Sequence, residues 1–163
     1  MKTLILVRHA KAVKADEFDG RDFDRPLAKQ GKRDARRMGE RLADEAAQPG
    51  LFLSSPAARA LATARIVGDE MGLRESAIVK EPKAYEADAR GLMAILAGID
   101  DDHDCAWLCG HNPALQDLAG VLTGKAFDNL SPCDVLILRL SIGSWSALAP
   151  GRATLLKYLA AAE

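Results

Sequence analysis

The stretch LILVRHAKA, residues 4–12, runs from an unbroken apolar segment straight into an arginine and a histidine. Four apolar residues in a row, without polar alternation, fit a strand covered on both faces, as strands of parallel sheets are. Arg8 and His9 then mark the point where that strand surfaces. The same pattern returns in LFLSSP at 51–56 and in CAWLCGHNP at 105–113, each an apolar run ending in a polar turn.

Helical periodicity fills the intervals. Residues 28–47 place Ala35, Met38, Leu42 and Ala46 on one face, and Pro49 and Gly50 stop the helix. Residues 57–71 carry Leu61, Ala64, Ile66 and Val67 at helical spacing, and Gly72 ends them. A strand near 77–79, a helix at 89–96, a helix at 114–122 and the strand DVLILRLS continue the rhythm. Residues 145–148 and 153–159 are expected to add a closing strand or hairpin, the last segment reading equally as strand or helix. Alternating strands and helices predict an α/β fold, three-layer α/β/α, with a mostly parallel central sheet. In such sheets ligands bind at the carboxyl ends of the strands, where Arg8 and His9 stand.

The chain has 163 residues, 48% hydrophobic and 28% charged, enough to bury a core as one domain spanning 1–163. No repeat, linker or low-complexity tract divides it. A net charge of −1 gives no general attraction to nucleic acid or to a membrane surface, so an anion site has to be a local cluster of arginines. The apolar run before Arg8 is shorter than the ~7 residues of a signal-peptide core, and no run approaches the ~20 needed to span a bilayer. A cytoplasmic location is expected. Cys105, Cys109 and Cys133 lack framework spacing and read as reduced core residues.

Two of the three histidines, His9 and His111, directly follow buried strands, and Arg59 lies just beyond a third, in the first turn of a helix. If those strand ends are neighbours, two guanidiniums and two imidazoles share a pocket that repels itself unless an anion fills it. Phosphate suits the arginine fork. Arg25, in DRPL, offers a further guanidinium from the loop. The five carboxylates between Asp16 and Asp24 read as a solvated face.

Taken in order, RHAKA, DRPL with the following Gly31, SSPAARALATA and CGHNP resemble the motifs of the histidine phosphatase superfamily, the phosphoglycerate-mutase-like fold, and within it the SixA-type phosphohistidine phosphatases. The likeness runs from Leu4 to about Leu159. It implies that His9 is a nucleophile forming a covalent phosphohistidine, that Arg8, Arg59 and His111 surround the phosphoryl group and that Arg25 assists. It implies neither metal nor cofactor. Ala10 stands where the wider superfamily usually has Gly, although Ala is common in the SixA-like branch. Members acting on alcohol esters use an acidic proton donor; here Glu86 is the first candidate and Asp88 the second, each also placed to cap a helix. The partner implied is a phosphorylated protein or a small phosphate compound. The expected activity is hydrolysis of phosphohistidine, with a small-molecule phosphomonoesterase and a catalytically silent phosphate-binding domain as alternatives.

Two other patterns mislead. Cys133 and Arg139 have the spacing of cysteine-dependent phosphatases, but DVLIL between them belongs in a strand rather than a phosphate loop. His103, Cys105, Cys109 and His111 resemble a zinc set, yet along a strand at ~3.3 Å per residue the outer pair stands roughly 26 Å apart.

Overall fold

The structure, a computed structural model, describes residues 1–45 and 47–162. Ala46, expected on the inner face of the first helix, lies outside them. Its elements are β1 (Lys2–Arg8), α1 (Lys29–Asp44), β2 (Leu51–Ser54), α2 (Ala58–Glu70), β3 (Ile78–Lys80), α3 (Ala89–Ala97), β4 (Cys105–Gly110), α4 (Ala114–Thr123), β5 (Val135–Leu140) and β6 (Ala153–Leu159). The strands form one sheet in the order β3-β2-β4-β1-β5-β6. Neighbours from β3 to β1 run parallel, and β5 is antiparallel to both β1 and β6.

Alternation along the central strands sorts the core into two layers. Leu4, Leu6, Ala106, Leu108 and Leu136 face α3 and α4, while Ile5, Val7, Phe52, Trp107 and Val135 face α1 and α2. Because both faces are covered, Leu4–Val7 of β1 and all of β4 are buried without polar alternation, which is why the sequence showed continuous runs there. The stacked rings of Phe52 and Trp107, 5.1 Å apart, fill the α1/α2 layer. Cys105, Cys109 and Cys133 are buried, as their composition suggested. The DVLIL run is β5, with Arg139 exposed on it.

The C-terminal third departs from expectation in one respect. Residues 145–148 are neither strand nor hairpin: Trp145–Ala147 is a single 3₁₀ turn, and the Trp145 indole is buried with its N–H donated to the His103 carbonyl at 2.8 Å. Residues 153–159, open between strand and helix in the sequence, pair with β5 as a strand. Among the described residues no helix is long and apolar enough to cross a membrane.

The register brings three strand ends together. Arg8 of β1 sits opposite Gly110 of β4, and Ser54 of β2 opposite Cys109 of β4, so the segments following β2, β4 and β1 leave the sheet side by side. Gly31 seats the first turn of α1 against this edge: a Cβ there would lie 2.0 Å from the Lys11 carbonyl oxygen.

Candidate active site

His9 is fastened through its backbone on both sides. Its N–H donates to the Gly110 carbonyl at 3.0 Å, and its carbonyl, with that of Arg8, accepts the Cys133 N–H at 3.1 Å. The next N–H, of the buried Ala10, donates to Thr63 Oγ1 at 3.0 Å, and the Thr63 hydroxyl donates to the Arg59 carbonyl at 2.8 Å. The Ala10 methyl group is accommodated in the core, and the turn after β1 is tied to the helix that carries Arg59.

The imidazole of His9 lies with Nδ1 2.8 Å from the Ala10 carbonyl. A carbonyl only accepts, so Nδ1 carries the proton and Nε2 keeps its lone pair. Burial pushes the His9 pKa down to about 4, and the cations of Arg59, Arg8 and Arg25 push in the same direction. His9 is therefore a neutral base at ordinary pH. Its ring centroid is 5.2 Å from that of His111.

His111 is oriented by Ser55, whose hydroxyl lies 2.8 Å from His111 Nε2 while its oxygen accepts the Ala57 N–H at 3.2 Å. Ser55 is fully buried and, among the described residues, Nε2 is the acceptor within reach of its O–H, so the hydroxyl donates to Nε2, which leaves the proton of His111 on Nδ1. That Nδ1 is buried and has no partner among the described residues. Burial first, and then His9 and Arg59, push the His111 pKa down to about 3.

The two arginines are held in matching ways. Arg8 Nη1 donates to the Leu130 carbonyl at 2.8 Å, an oxygen that also accepts from Asn112 of the CGHNP motif at 2.9 Å. Arg59 Nη1 donates to the Asp22 carbonyl at 2.8 Å. In each case Nε is buried and unpartnered. The site thus combines two cationic N–H donors, one neutral N–H donor and one free imidazole nitrogen, a set suited to a phosphoryl group under attack.

Of the residues expected from sequence, His9, His111, Arg8 and Arg59 are brought together. Arg25 is near, but its guanidinium is committed to the Val13 carbonyl at 2.8 Å and to Asp22 at 3.1 and 3.2 Å, so it meets the site through Asp22. Glu86 is exposed and lines a cleft of about 320 Å³ with Tyr85, His111 and Asn112. Asp88 caps α3, accepting the Gly91 N–H at 2.9 Å, which accounts for it structurally.

The carboxylate loop is a solvated face, all five of its carboxylates being exposed, but Asp22 also reaches into the site. It pairs with both Arg25 and Arg59 and accepts the Tyr85 hydroxyl at 2.8 Å. That bond, ahead of those from Arg25 and Arg59, holds its pKa at about 2. Tyr85 in turn stacks edge-on against His111 at 5.7 Å and against Phe23 at 5.1 Å. Asp134 was also missed. It is buried behind Arg8, accepts N–H groups of Ser131 and Ala161 at 2.9 Å and the Tyr158 hydroxyl, and its carbonyl accepts the Arg8 N–H at 3.1 Å. A sequence signal existed only for Asp22, which stands three residues before Arg25.

A sequence model of the histidine phosphatase superfamily, branch 1, matches residues 4–90. The chain is also 30% identical over 152 residues to an uncharacterized chloroplastic protein of Arabidopsis thaliana, spanning 88% of this chain and 69% of that one. The chain belongs to the histidine phosphatase superfamily. Among solved members, a protein of Agrobacterium tumefaciens provisionally described as the phosphohistidine phosphatase SixA superposes with a TM-score of 0.82 at 26% identity, covering 98% of this chain and 97% of that one. The protein histidine phosphatase SixA in complex with tungstate superposes with a TM-score of 0.83 at 21% identity, over 98% and 97% of the two chains, a likeness of fold. The fold is the phosphoglycerate-mutase-like one, and in this superfamily member Arg8 and His9, Arg59 and His111 lie within or just after the three adjoining strand ends.

Proposed function

We propose that this superfamily member is a phosphatase that removes the phosphoryl group from phosphohistidine on a protein through a phospho-His9 intermediate. The observation carrying this reading is the pairing of a free His9 Nε2 with three buried, unpartnered N–H donors, Arg8 Nε, Arg59 Nε and His111 Nδ1. Nε2 attacks phosphorus in line, a P–N bond to His9 forms, and the bond to the leaving imidazole nitrogen breaks with that nitrogen taking a proton. Water then cleaves the His9 P–N bond, releasing inorganic phosphate and restoring neutral His9. Arg8 and Arg59 offset the charge on the phosphoryl oxygens, the part a divalent cation plays in many phosphoryl-transfer sites, and turnover is expected to survive chelators. Similarity to the Agrobacterium tumefaciens protein described as a phosphohistidine phosphatase supports the phosphohistidine substrate.

Incubation with a histidine-phosphorylated carrier domain and with small phosphate esters tests the substrate. Release of phosphate from the carrier supports the reading, and turnover of esters alone refutes it. A second reading, a small-molecule phosphomonoesterase, is favoured by Glu86, which lines the cleft with His111 where an alcohol leaving group would depart. Glu86→Gln then cripples ester hydrolysis and spares phosphoramidate hydrolysis, whose nitrogen leaving group asks less of an acid.

A further inference from the structure

Asp22 collects more hydrogen bonds than its place in a surface loop requires. Oδ1 accepts Nε and Nη2 of Arg25 at 3.2 and 3.1 Å; Oδ2 accepts Nη2 of Arg59 at 3.0 Å and the Tyr85 hydroxyl at 2.8 Å; the backbone carbonyl accepts Nη1 of Arg59 at 2.8 Å. The donors come from the loop after β1, from the first turn of α2 and from the segment leading into α3. Arg59 and Tyr85 stand 37 and 63 residues from Asp22 along the chain.

A guanidinium presents two edges with parallel N–H bonds: the terminal edge, Nη1 with Nη2, and the side edge, Nε with Nη2. Asp22 occupies the whole terminal edge of Arg59. The side edge remains, and its Nε is buried with no partner. A competing anion lodged in the phosphate position would engage the donors that face the reacting histidine. Asp22 instead engages Nη1 and Nη2 and leaves Nε without a partner.

We infer, building on the phosphatase reading, that Asp22 is a positioning residue. It fixes the Arg59 guanidinium so that the side edge, rather than the terminal fork, meets the phosphoryl group, and through Tyr85 it steadies the wall against which His111 packs. Its negative charge also weakens the hold of the site on a phosphate dianion and speeds product release. A neutral residue at this position accordingly slows the chemical step and tightens phosphate binding, two effects that a general loss of structure would not separate.

The test compares wild type with Asp22→Asn and Asp22→Ala, using potassium phosphoramidate for turnover and inorganic phosphate for binding. Asp22→Asn is expected to lower kcat roughly 10- to 100-fold, the scale of a misplaced contact, while phosphate binds roughly two- to tenfold more tightly because one repulsive charge is gone. The ¹⁵Nε–¹H resonance of Arg59 reports the edge directly: phosphate is expected to shift it in wild type and to lose that effect in Asp22→Ala. The inference is overturned if kcat in Asp22→Asn stays within about twofold of wild type or rises, if phosphate binding weakens in step with kcat, or if phosphate leaves the wild-type Arg59 Nε resonance unmoved. Should wild type fail to turn over phosphoramidate and phosphocarrier alike, the phosphatase reading fails, and the Arg59 resonance still decides the role of Asp22.

Discussion

The rings of His9 and His111 stand 5.2 Å apart, tilted by 56°, and each is fixed from behind by a different acceptor or donor: His9 by the Ala10 carbonyl and His111 by the Ser55 hydroxyl. The two tautomers that result are complementary. His9 offers a lone pair from Nε2, and His111 offers a proton from Nδ1. One ring is set to attack an electrophile and the other to hold its oxygen.

Both rings are expected to be neutral in the free protein well below the usual histidine pKa. With values pushed down to about 4 for His9 and about 3 for His111, the unfolded chain binds more protons than the folded one between pH 4 and 6.5, so stability rises with pH across that window and is lost as pH falls through it. Ring ¹⁵N shifts of the two histidines at pH 5.5 check this; an imidazolium signal from His9 there would contradict it.

Ser55→Ala removes the donor that fixes the His111 tautomer. Loss of a bond worth ~1 kcal/mol in the transition state predicts a kcat about fivefold lower. The ¹⁵N spectrum of His111 is expected to change from a single Nδ1–H form to a mixture, with the His9 resonances unmoved.

Thr63→Val keeps the shape of the side chain and takes away the acceptor of the Ala10 N–H. The buried N–H is left unsatisfied, at a cost of ~1–3 kcal/mol in unfolding free energy. Chemical denaturation measures it. Because Thr63 links the His9 turn to α2, activity is expected to fall as well.

Gly31→Ala drives a methyl group toward the Lys11 carbonyl, 2.0 Å from the ideal Cβ position. Backbone has to move on both sides, which predicts destabilisation of ~1–3 kcal/mol and a displaced turn after His9. A variant with wild-type stability would show that α1 shifts freely relative to β1.

Much of this architecture was legible because burial on both faces leaves a plain trace: the centre of β1, Leu4–Val7, and the whole of β4 are apolar, and the polar residues that follow name Arg8, His9 and His111. The register of β1, β4 and β2 then does what the spacing of the motifs required. The spacing of Asp22 to Arg25 was its one signal in the sequence; its other partners, Arg59 and Tyr85, come from distant segments, and nothing else set it apart from the carboxylates around it. Arg25 was found, but the turn of its fork toward Asp22 was not readable from the sequence. Ser55 lay inside a recognised motif, yet its bond to His111 depends on two strand ends meeting. Trp145 looked like strand because it is large and apolar; a Ser144 side chain accepting the Ser146 N–H at 3.4 Å and the indole bond to His103 make it a turn instead.

The most direct test of a covalent role for His9 is phosphoenzyme trapping. Wild type, His9→Ala and His111→Ala are mixed with a radiolabelled histidine-phosphorylated carrier and quenched in alkali, and the label is located by peptide mapping. The account predicts acid-labile, alkali-stable phosphate on the peptide holding His9 in wild type, none in His9→Ala, and a slower but present label at His9 in His111→Ala. Full turnover by wild type with no label on that peptide, or label retained in His9→Ala, would contradict it.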